Sequence, residues 1–473
     1  MKKTINNIIF NALYQLFLIA IPIVSVPYLA RTLGAKELGV NSFVLSIASF
    51  LGIIIFSGMN QLGAREIARE EDRIKAFWKL WSSQLAIGLV ITVIFSISIL
   101  FINENKIYFL IEIPLLLSSI FDISWFFLGI GEVRKVVTRN TIIKVSSLLL
   151  IFIFVKNDGD LWIYMLINSL MMLLSVSVFW ISLNGMDKRY FKEMKLSIDA
   201  RYFKTTMFLL IPQVAVQIYT NLDKTLVGFL SNSLELSYYD QSQKIARIIL
   251  SLVTSIALVL MPIMARIENS EDGEKEKKLN QIFKLSLDYT LVSCLFFSLL
   301  LMVNTSEFVP WFFGNQFLDM KSNMYWVSLI IIFIGYGSVY SNQYSLAKGM
   351  YKELAIPYIL GAIISVTLNL LIVPRYASTG ATFTILFTEF SVCLLRIFLI
   401  RNKVKLGDMF REQYKYVISF LSCLITANFI PINMGSLLVD MAIRTVIISF
   451  MFIFLLIIFR TRFINDIKKI INK

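Results

Sequence analysis

Two stretches of the chain carry polar and charged side chains at helical spacing within apolar sequence. The first stretch has Gln213, Gln217, Asn221 and Lys224, and the second has Asp240, Lys244 and Arg247. Residues three or four positions apart share one face of an α-helix, so each stretch predicts one polar stripe. Ammonium and guanidinium groups bind phosphate oxygens. The two stripes therefore predict a surface that can bind an anion.

The elements that must position these stripes are membrane-spanning helices. Hydrophobic residues make up 57% of the chain and charged residues 16%, and about twenty apolar residues suffice to span a bilayer as a helix. The apolar runs are solid rather than alternating, which excludes an outer-membrane barrel and predicts an all-α integral membrane protein. About fourteen spans are predicted, near 5–29, 38–58, 79–102, 107–128, 140–156, 161–183, 204–230, 235–264, 281–303, 323–344, 354–373, 378–400, 414–431 and 438–459.

The basic residues predict the orientation of these spans. Most of the 45 Lys and Arg residues fall in segments on the side of the two chain ends. The opposite segments hold only Arg31, Lys36, Lys106, Lys156, Lys321 and Arg375. Basic loops stay in the cytoplasm, so both termini are predicted to be cytoplasmic. The net charge of +14 then lies mainly beside anionic lipid, and no basic soluble domain exists to bind nucleic acid.

The charges on the two stripes need partners, because a charge at the bilayer centre costs about 2.5–3.5 kcal/mol. Asp223 and Asp240 can each offset one cation, and Asp240 lies four positions before Lys244, a good pairing distance. The residual positive charge then falls on Arg247, about 18 Å into its span and near the midplane. Two interpretations stay open: a site for an anionic substrate, or a structural network of salt bridges.

Further polar residues extend the candidate site. Asn41 and Ser46 form part of a polar stripe in the second span, and Arg31 either joins the site or extends to the outer interface. Three acids in apolar runs are candidate proton or Na⁺ sites, and their spacing ranks none of them: Asp122, Asp288 and Glu389. Asp440 and Arg444 open the last span and are expected to form a structural pair.

The sequence argues against an enzyme. The chain has no histidine, which is the commonest general base and metal ligand. Its three cysteines occur singly in apolar runs, without metal-binding or disulfide spacing. There is no GxxxxGK[ST] loop for ATP, and no outer loop is long enough for a catalytic domain. We expect no cofactor and no metal, and a coupling H⁺ or Na⁺ is left open.

The chain also shows signs of an internal repeat. The residues from Ile21 to Val26 in the first span match Ile211 to Val216 in the seventh, and Glu37-Leu38 matches Glu235-Leu236. An offset of six spans makes the halves parallel repeats, which implies two similar bundles facing each other across a central cavity. The predicted division is an N-terminal six-helix lobe at 1–202, a second at 203–405, and two further helices with a cytoplasmic tail at 406–473.

Four stretches of the chain resemble the bacterial polysaccharide flippases of the Wzx type. They are PYLARTLGAKELGVNSF (Pro27–Phe43), GAREIAREED (Gly63–Asp72), FDISWFFLGIGEVRKVVTRN (Phe121–Asn140) and PQVAVQIYTNLDKTLVGFLSNSLELSYYDQSQKIARI (Pro212–Ile248). This family belongs to the multidrug/oligosaccharidyl-lipid/polysaccharide exporter superfamily. The resemblance, taken with the layout of the spans, covers essentially the whole chain.

The resemblance implies a fold and a substrate. The fold is that of the multidrug and toxin extrusion (MATE) transporters: two pseudo-symmetric six-helix lobes in a V, a cation-lined cavity and two additional C-terminal helices. The implied substrate is an undecaprenyl-diphosphate-linked oligosaccharide, flipped by alternating access. Membrane lipid and other polysaccharide assembly proteins are further partners. The matched stretches contain Arg31, Asp122, Asp223, Lys224, Asp240, Lys244 and Arg247.

Three other functions compete with this interpretation. A multidrug or cation antiporter of the same fold would need a net acidic cavity, whereas the residual charge here is positive. A flippase for a peptidoglycan lipid precursor would share the mechanism. A membrane glycosyl polymerase would need a cluster of catalytic residues in an outer loop, and the sequence has none.

Overall fold

The structure is a computed structural model that describes residues 20–56, 58–268, 273–430 and 432–465. All the regular secondary structure in these ranges is helical, which confirms the prediction of an all-α protein. Nine helices in these ranges are apolar and long enough to cross a membrane. Helical backbone satisfies its own polar groups in lipid, so the chain is a multi-pass membrane protein.

The helices fall into two compact units, Met1–Gly228 and Phe229–Lys473. The first unit, unit 1, contains α1 (20–32), α2 (Gly34–Phe56), α3 (Met59–Arg69), α4 (Arg73–Leu100), α5 (Lys106–Ile111), α6 (Ile113–Phe121), α7 (Ser124–Gly129), α8 (Val133–Phe154), α9 (Leu161–Met186), α10 (Arg189–Lys192) and nearly all of α11 (Ala200–Leu230). The second unit, unit 2, contains α12 (Ser233–Glu268), α13 (Lys275–Phe312), α14 (Lys321–Val327), α15 (Ile330–Ser338), α16 (Tyr351–Ile400), α17 (Leu406–Phe410), α18 (Gln413–Ala427) and α19 (Leu437–Ile458).

Each predicted span from the second to the fourteenth corresponds to helix in the structure. The fourth span is divided among α5, α6 and α7, and the tenth among α14, α15 and a π-helical turn at Val339–Ser345. The eleventh and twelfth spans form α16, which is interrupted at Ala377 by a non-helical residue with φ 45°. Most of the first span lies outside the described residues. The predicted lobe boundaries at 202/203 and 405/406 stay predictions.

In unit 1, α6 packs against α2, α4 and α9. The adjoining core is a cluster of aromatic rings on α4, α7 and α9, in which Phe77, Trp125 and Phe127 have no exposed surface. Aromatic side chains bury a large apolar area and pack edge to face. This cluster fixes α4 against α7 and so fixes the broken fourth span.

In unit 2, α13 is the central helix and contacts α12, α15, α18 and α19. The last two helices therefore pack directly on the helix at the centre of the unit. Glu235, in the first turn of α12, accepts a hydrogen bond from the backbone N–H of Ser378 at 3.2 Å and another from the Ser378 hydroxyl. This contact joins the start of α12 to the start of the twelfth span, directly after the break at Ala377.

Close packing of α3 on α7 requires glycine at position 63. A Cβ atom at Gly63 would lie 2.6 Å from Cε3 of the Trp125 ring, and that ring is fully buried. Gly185 in α9 has no atom within 4 Å of its Cβ position and serves as a matched control. Alanine favours a helix over glycine by about 1 kcal/mol, so the two positions separate packing from helix propensity.

We expect Gly63→Ala to lower the thermal unfolding temperature of the detergent-solubilised protein, because overpacking a core costs about 1–3 kcal/mol. Gly185→Ala should leave the unfolding temperature unchanged or raise it. Equal unfolding temperatures for the two variants would show that Trp125 does not constrain α3.

Candidate functional site

The polar stripe on α11 is present where its side chains are described. Asn221 donates a hydrogen bond from its amide nitrogen to Oε1 of Gln217 at 2.5 Å. Two residues further, Asp223 is 1% exposed and its carboxylate accepts the backbone N–H of Lys224 at 2.8 Å. The Gln213 side chain lies outside the described part of the structure. Gln217 and Asn221 therefore share one helix face, and the continuation of the stripe to Gln213 and Lys224 stays a prediction.

The stripe of the second span meets α11 within unit 1. The hydroxyls of Ser46 and Thr225 share a hydrogen bond of 2.8 Å. One turn along α11, Gly228 lies so close to α2 that a Cβ there would be 2.2 Å from the Phe43 ring. Asn41 is buried on the same helix, with 5% of its surface exposed. Two of the predicted substrate-binding segments are thus brought together.

The stripe on α12 contains two overlapping pairs of side chains, and the two members of each pair lie four positions apart. Lys244 Nζ lies 2.7 Å from Oδ2 of Asp240, as the sequence predicts. Arg247 donates from Nε to Oε1 of Gln243 at 3.2 Å, and Gln243 has no exposed surface. Among the carboxylates that the structure describes, none is within ion-pairing distance of Arg247. The interpretation of a fully neutralised salt-bridge network is therefore not met at Arg247.

This arrangement leaves one oriented positive charge in a membrane helix. Arg247 is half-buried and lies about 21 Å along the axis from Ser233. Its Nε is held by a neutral amide, which fixes the plane of the guanidinium without neutralising it. A guanidinium held in one plane can donate two parallel hydrogen bonds to a phosphate. The central cavity between the halves stays a prediction.

Arg31 lies in the last turn of α1 and is exposed. Glu389 is buried in α16, with 2% of its surface exposed. Both residues take part in interactions within the protein. Their proposed roles in substrate binding and coupling stay predictions.

Asp122 lies at the break in the fourth span, after the last residue of α6. Its carboxylate accepts the backbone N–H of Ser124 at 2.7 Å and lies 3.9 Å from the Arg139 guanidinium. Arg139 also lies over the Phe179 ring, 4.2 Å from its centroid. Asp122 therefore accepts a hydrogen bond from the first turn of α7 and pairs with a buried cation, and its role in coupling stays a prediction.

Three side chains that the sequence analysis did not select satisfy the carbonyls freed by this break. Gln84 donates to the carbonyls of Ser119 and Asp122 at 2.8 and 3.1 Å. The indole N–H of Trp81 donates to Ile120 and that of Trp180 to Phe121, at 3.2 and 2.8 Å. A glutamine within the apolar run of the third span was a detectable signal, because it needs a partner in lipid.

Asp288 is not the lone intramembrane acid that the sequence suggested. Its Oδ1 lies 2.8 Å from Nζ of Lys284, one turn earlier on α13, and accepts a hydrogen bond from Gln413 at 3.1 Å. Lys284 also donates to the carbonyls of Met409 and Arg411, at 2.6 and 2.9 Å. From the sequence, Lys284 was assigned to the basic residues of the cytoplasmic side, so its pair with Asp288 was missed. The contacts make Asp288 part of the attachment of α18 to α13, and a role in coupling stays a prediction.

The expected pair of Asp440 with Arg444 is wrong. Arg444 lies 2.5 Å from Glu307 on α13 and donates to the Val303 carbonyl at 3.1 Å. Asp440 accepts the backbone N–H of Met434 at 2.7 Å instead. Packing of α19 on α13 decides the partner, because the neighbouring helix offers a half-buried carboxylate.

One further buried acid was not selected from the sequence. Glu112 joins α5 to α6 and is 2% exposed. No charged side chain of the described ranges interacts with it. A buried carboxyl without an ion pair can exist only as the neutral acid or at a considerable cost in solvation.

The segment before α11 is held by an ion pair at the level of the loops. Lys79 Nζ lies 2.7 Å from Oδ2 of Asp199, and the Arg201 backbone N–H donates to Oδ1 at 2.9 Å. The hydrogen bond from the Lys79 ammonium lowers the pKa of Asp199 below its ordinary value. This contact fixes the start of the helix that carries Gln217 and Asn221.

The apolar helices of the described ranges define a multi-pass membrane protein. A model of the family described as "Polysaccharide biosynthesis protein" matches residues 4–268, more than half of the chain. The chain belongs to this family. A curated protein of Escherichia coli (strain K12), named "Putative O-antigen transporter", is 22% identical over 407 residues, which cover 84% of this chain and 96% of that protein.

Two solved structures show the same fold. The structure titled "Lipid II flippase MurJ, inward closed conformation" has a TM-score of 0.73 at 16% identity and covers 97% of this chain and 99% of its own. The inward-facing conformation of a multidrug resistance MATE family transporter has a TM-score of 0.60 at 13% identity, covering 85% of this chain and 96% of its own. These likenesses confirm the MATE-like fold.

The pair of Lys284 with Asp288 generates a stability prediction. Removing one partner of a buried pair costs about 3–5 kcal/mol, because the other charge stays buried and unpaired. Lys284→Met and Asp288→Leu should therefore each lower the unfolding temperature strongly, and the double variant should recover part of the loss. Lys277→Met removes an exposed lysine from the same helix and serves as the control. Additive losses in the double variant would contradict the coupling.

Proposed function

We propose that the protein is a flippase that moves an undecaprenyl-diphosphate-linked oligosaccharide repeat unit from the inner to the outer leaflet, for surface polysaccharide biosynthesis. The family of the chain and the name of its Escherichia coli relative support the substrate class. The likeness to a structure titled as a lipid II flippase supports a lipid-linked substrate. The proposal places the protein in the bacterial cytoplasmic membrane with both termini inside, as the basic residues predict.

The observation that carries the proposal is the state of Arg247. Lys244 on the same stripe is paired with Asp240, whereas Arg247 is oriented by the neutral Gln243 and has no carboxylate of the described part beside it. A cation kept inside a membrane without a counter-ion is a functional feature by default. A diphosphate is the part of the substrate that would supply the missing negative charge.

In this mechanism the substrate enters from the cytoplasmic leaflet and its diphosphate binds Arg247, with Lys244 available beside it. For the sugars, the polar side chains that the sequence selects are proposed as contacts: Gln213, Gln217, Asn41 and Ser46. The prenyl chain stays in lipid, because transferring it into a polar groove would lose its hydrophobic stabilisation. The site then closes on the inside and opens on the outside, since a passage open at both ends would leak ions.

The membrane potential can help to drive this movement. Carrying negative charge outward across an inside-negative membrane gains about 2.3 kcal/mol per charge per 100 mV. Exchange for an inward proton or Na⁺ would add to this. Glu112 is a further candidate for such a proton, because it is buried without an ion pair among the described residues.

The charge on α12 also separates this function from its alternatives. A cation antiporter needs an excess of acid where its substrate binds, whereas the α12 stripe holds two cations and one carboxylate in Asp240, Lys244 and Arg247. A peptidoglycan precursor flippase would recognise the same diphosphate. A strain that lacks the gene for this protein distinguishes the two flippase functions. The proposal predicts that an undecaprenyl-linked oligosaccharide repeat unit accumulates in this deletion strain, and accumulation of peptidoglycan precursor would contradict it.

We expect Arg247→Ala to reduce surface polysaccharide at least tenfold, because losing a hydrogen bond to a charged group costs about 1.5–3 kcal/mol. The measurement is the amount of polysaccharide on cells of the deletion strain that carry the variant. Arg266→Ala removes an exposed arginine from the same helix and should export normally.

Membrane levels of both variants are measured by immunoblot, so that failed insertion is not mistaken for failed transport. Arg247→Lys keeps the charge but not the planar pair of donors and should retain partial export. Normal polysaccharide in Arg247→Ala cells would remove Arg247 from the mechanism.

A further inference from the structure

Unit 2 contains an open cavity of about 1260 Å³ at the N-terminal end of α13. Its walls are the first turns of α13, the segment 401–412 that joins α16 to α18, and Arg462 after α19. The charge asymmetry of the sequence assigns these segments to the cytoplasmic side. The cavity therefore lies where the apolar helices end, at the level of the inner lipid headgroups.

The lining of this cavity has more cations than anions. Its basic residues are Lys277, Lys284, Arg401, Lys403, Lys405, Arg411 and Arg462, and its acidic residues are Glu274, Glu276, Asp408 and Glu412. An excess of positive charge in a concave surface raises the local concentration of anions.

Several of these cations already have protein partners. Lys284 is held by Asp288, and Lys403 lies 2.9 Å from Glu353. In contrast, Arg401, Lys405 and Arg411 are exposed, and the structure pairs none of them with a carboxylate of the residues it describes. These three residues, hereafter the cationic triad, are available to a ligand.

An exposed apolar surface adjoins the cationic triad. The Arg401 guanidinium lies 3.6 Å from the centroid of the Phe398 ring, which is 52% exposed at the end of α16. On α18, Tyr414, Ile418 and Leu421 are exposed at positions that share one helix face. A soluble anion would use only the cations, whereas an anion with acyl chains would use both surfaces.

We propose that this cavity binds the headgroup of an anionic phospholipid of the cytoplasmic leaflet, with its acyl chains on the exposed faces of α16 and α18. Basic pockets between membrane helices on the cytoplasmic side bind such headgroups. The lipid neutralises the cationic triad and connects α16 to α18 across the 401–412 segment. It is therefore a structural ligand of unit 2, and it does not depend on which substrate is transported.

The test is thermal unfolding of the full chain, purified and delipidated in an uncharged detergent. Phosphatidylglycerol is added to one sample and phosphatidylcholine to another, and the difference between the two unfolding temperatures is the lipid shift. We expect a positive shift for the wild-type protein. A third sample receives phosphatidylcholine with inorganic phosphate, and we expect no shift from it, because phosphate has no acyl chains.

The cationic triad is replaced together as Arg401→Gln, Lys405→Gln and Arg411→Gln, which should remove at least half of the lipid shift. The matched control is Lys188→Gln, Lys192→Gln and Lys195→Gln, which removes the same charge from exposed positions of unit 1 and should keep the shift. Each variant is its own reference, so a lower basal stability does not affect the comparison. If the triple variant does not fold, Lys405→Gln is compared with Lys192→Gln in the same way.

Three results would overturn the proposal. A full lipid shift in the triad variant would place the lipid elsewhere. An equal loss of the shift in the unit 1 control would show a non-specific effect of net charge. A shift of the same size from inorganic phosphate would identify a site for a soluble anion instead of a lipid.

Discussion

In the core of a bilayer, a polar group that finds no partner within the protein has no water to replace it. This constraint determines the form of the fourth span. The chain stops being helical at Asp122, and the freed carbonyls accept hydrogen bonds from Gln84, Trp81 and Trp180 on neighbouring helices. The aromatic cluster of unit 1 therefore does more than bury apolar area, because two of its rings donate hydrogen bonds that stabilise the interrupted helix.

The same constraint distinguishes structural charges from candidate functional ones. Lys284 with Asp288 is a buried pair that helps to attach α18 to α13, and Arg444 with Glu307 is a half-buried pair that attaches α19 to α13. In each pair the two side chains are close enough to hold both charges in place. The guanidinium of Arg247 is held by the neutral Gln243 instead, so its helix keeps a positive charge that a bound anion can use.

Spacing along a single helix predicted some contacts correctly and others wrongly, because it carries no information about the partners that a neighbouring helix supplies. Asp240 with Lys244 follows from their spacing alone, and so does the shared face of Gln217 and Asn221. The partner of Arg444 could not be predicted in this way, because Glu307 is far away in sequence and reaches it only through the packing of α19 on α13. The spans were predictable because their length is set by the membrane rather than by packing.

Polar contacts, and not apolar packing alone, fix the position of the last two helices, α18 and α19. An apolar hairpin could remain in lipid without any polar contact to the rest of the protein, because its own backbone is satisfied. Here a buried lysine on α13 donates to two carbonyls of the segment before α18, and Asp288 accepts from Gln413 on α18. Such polar contacts specify one position rather than adding general stability, since lipid would solvate the apolar faces equally well in any other position. The two helices are thus a fixed part of unit 2, and the segment 401–412 between α16 and α18 is held at both ends.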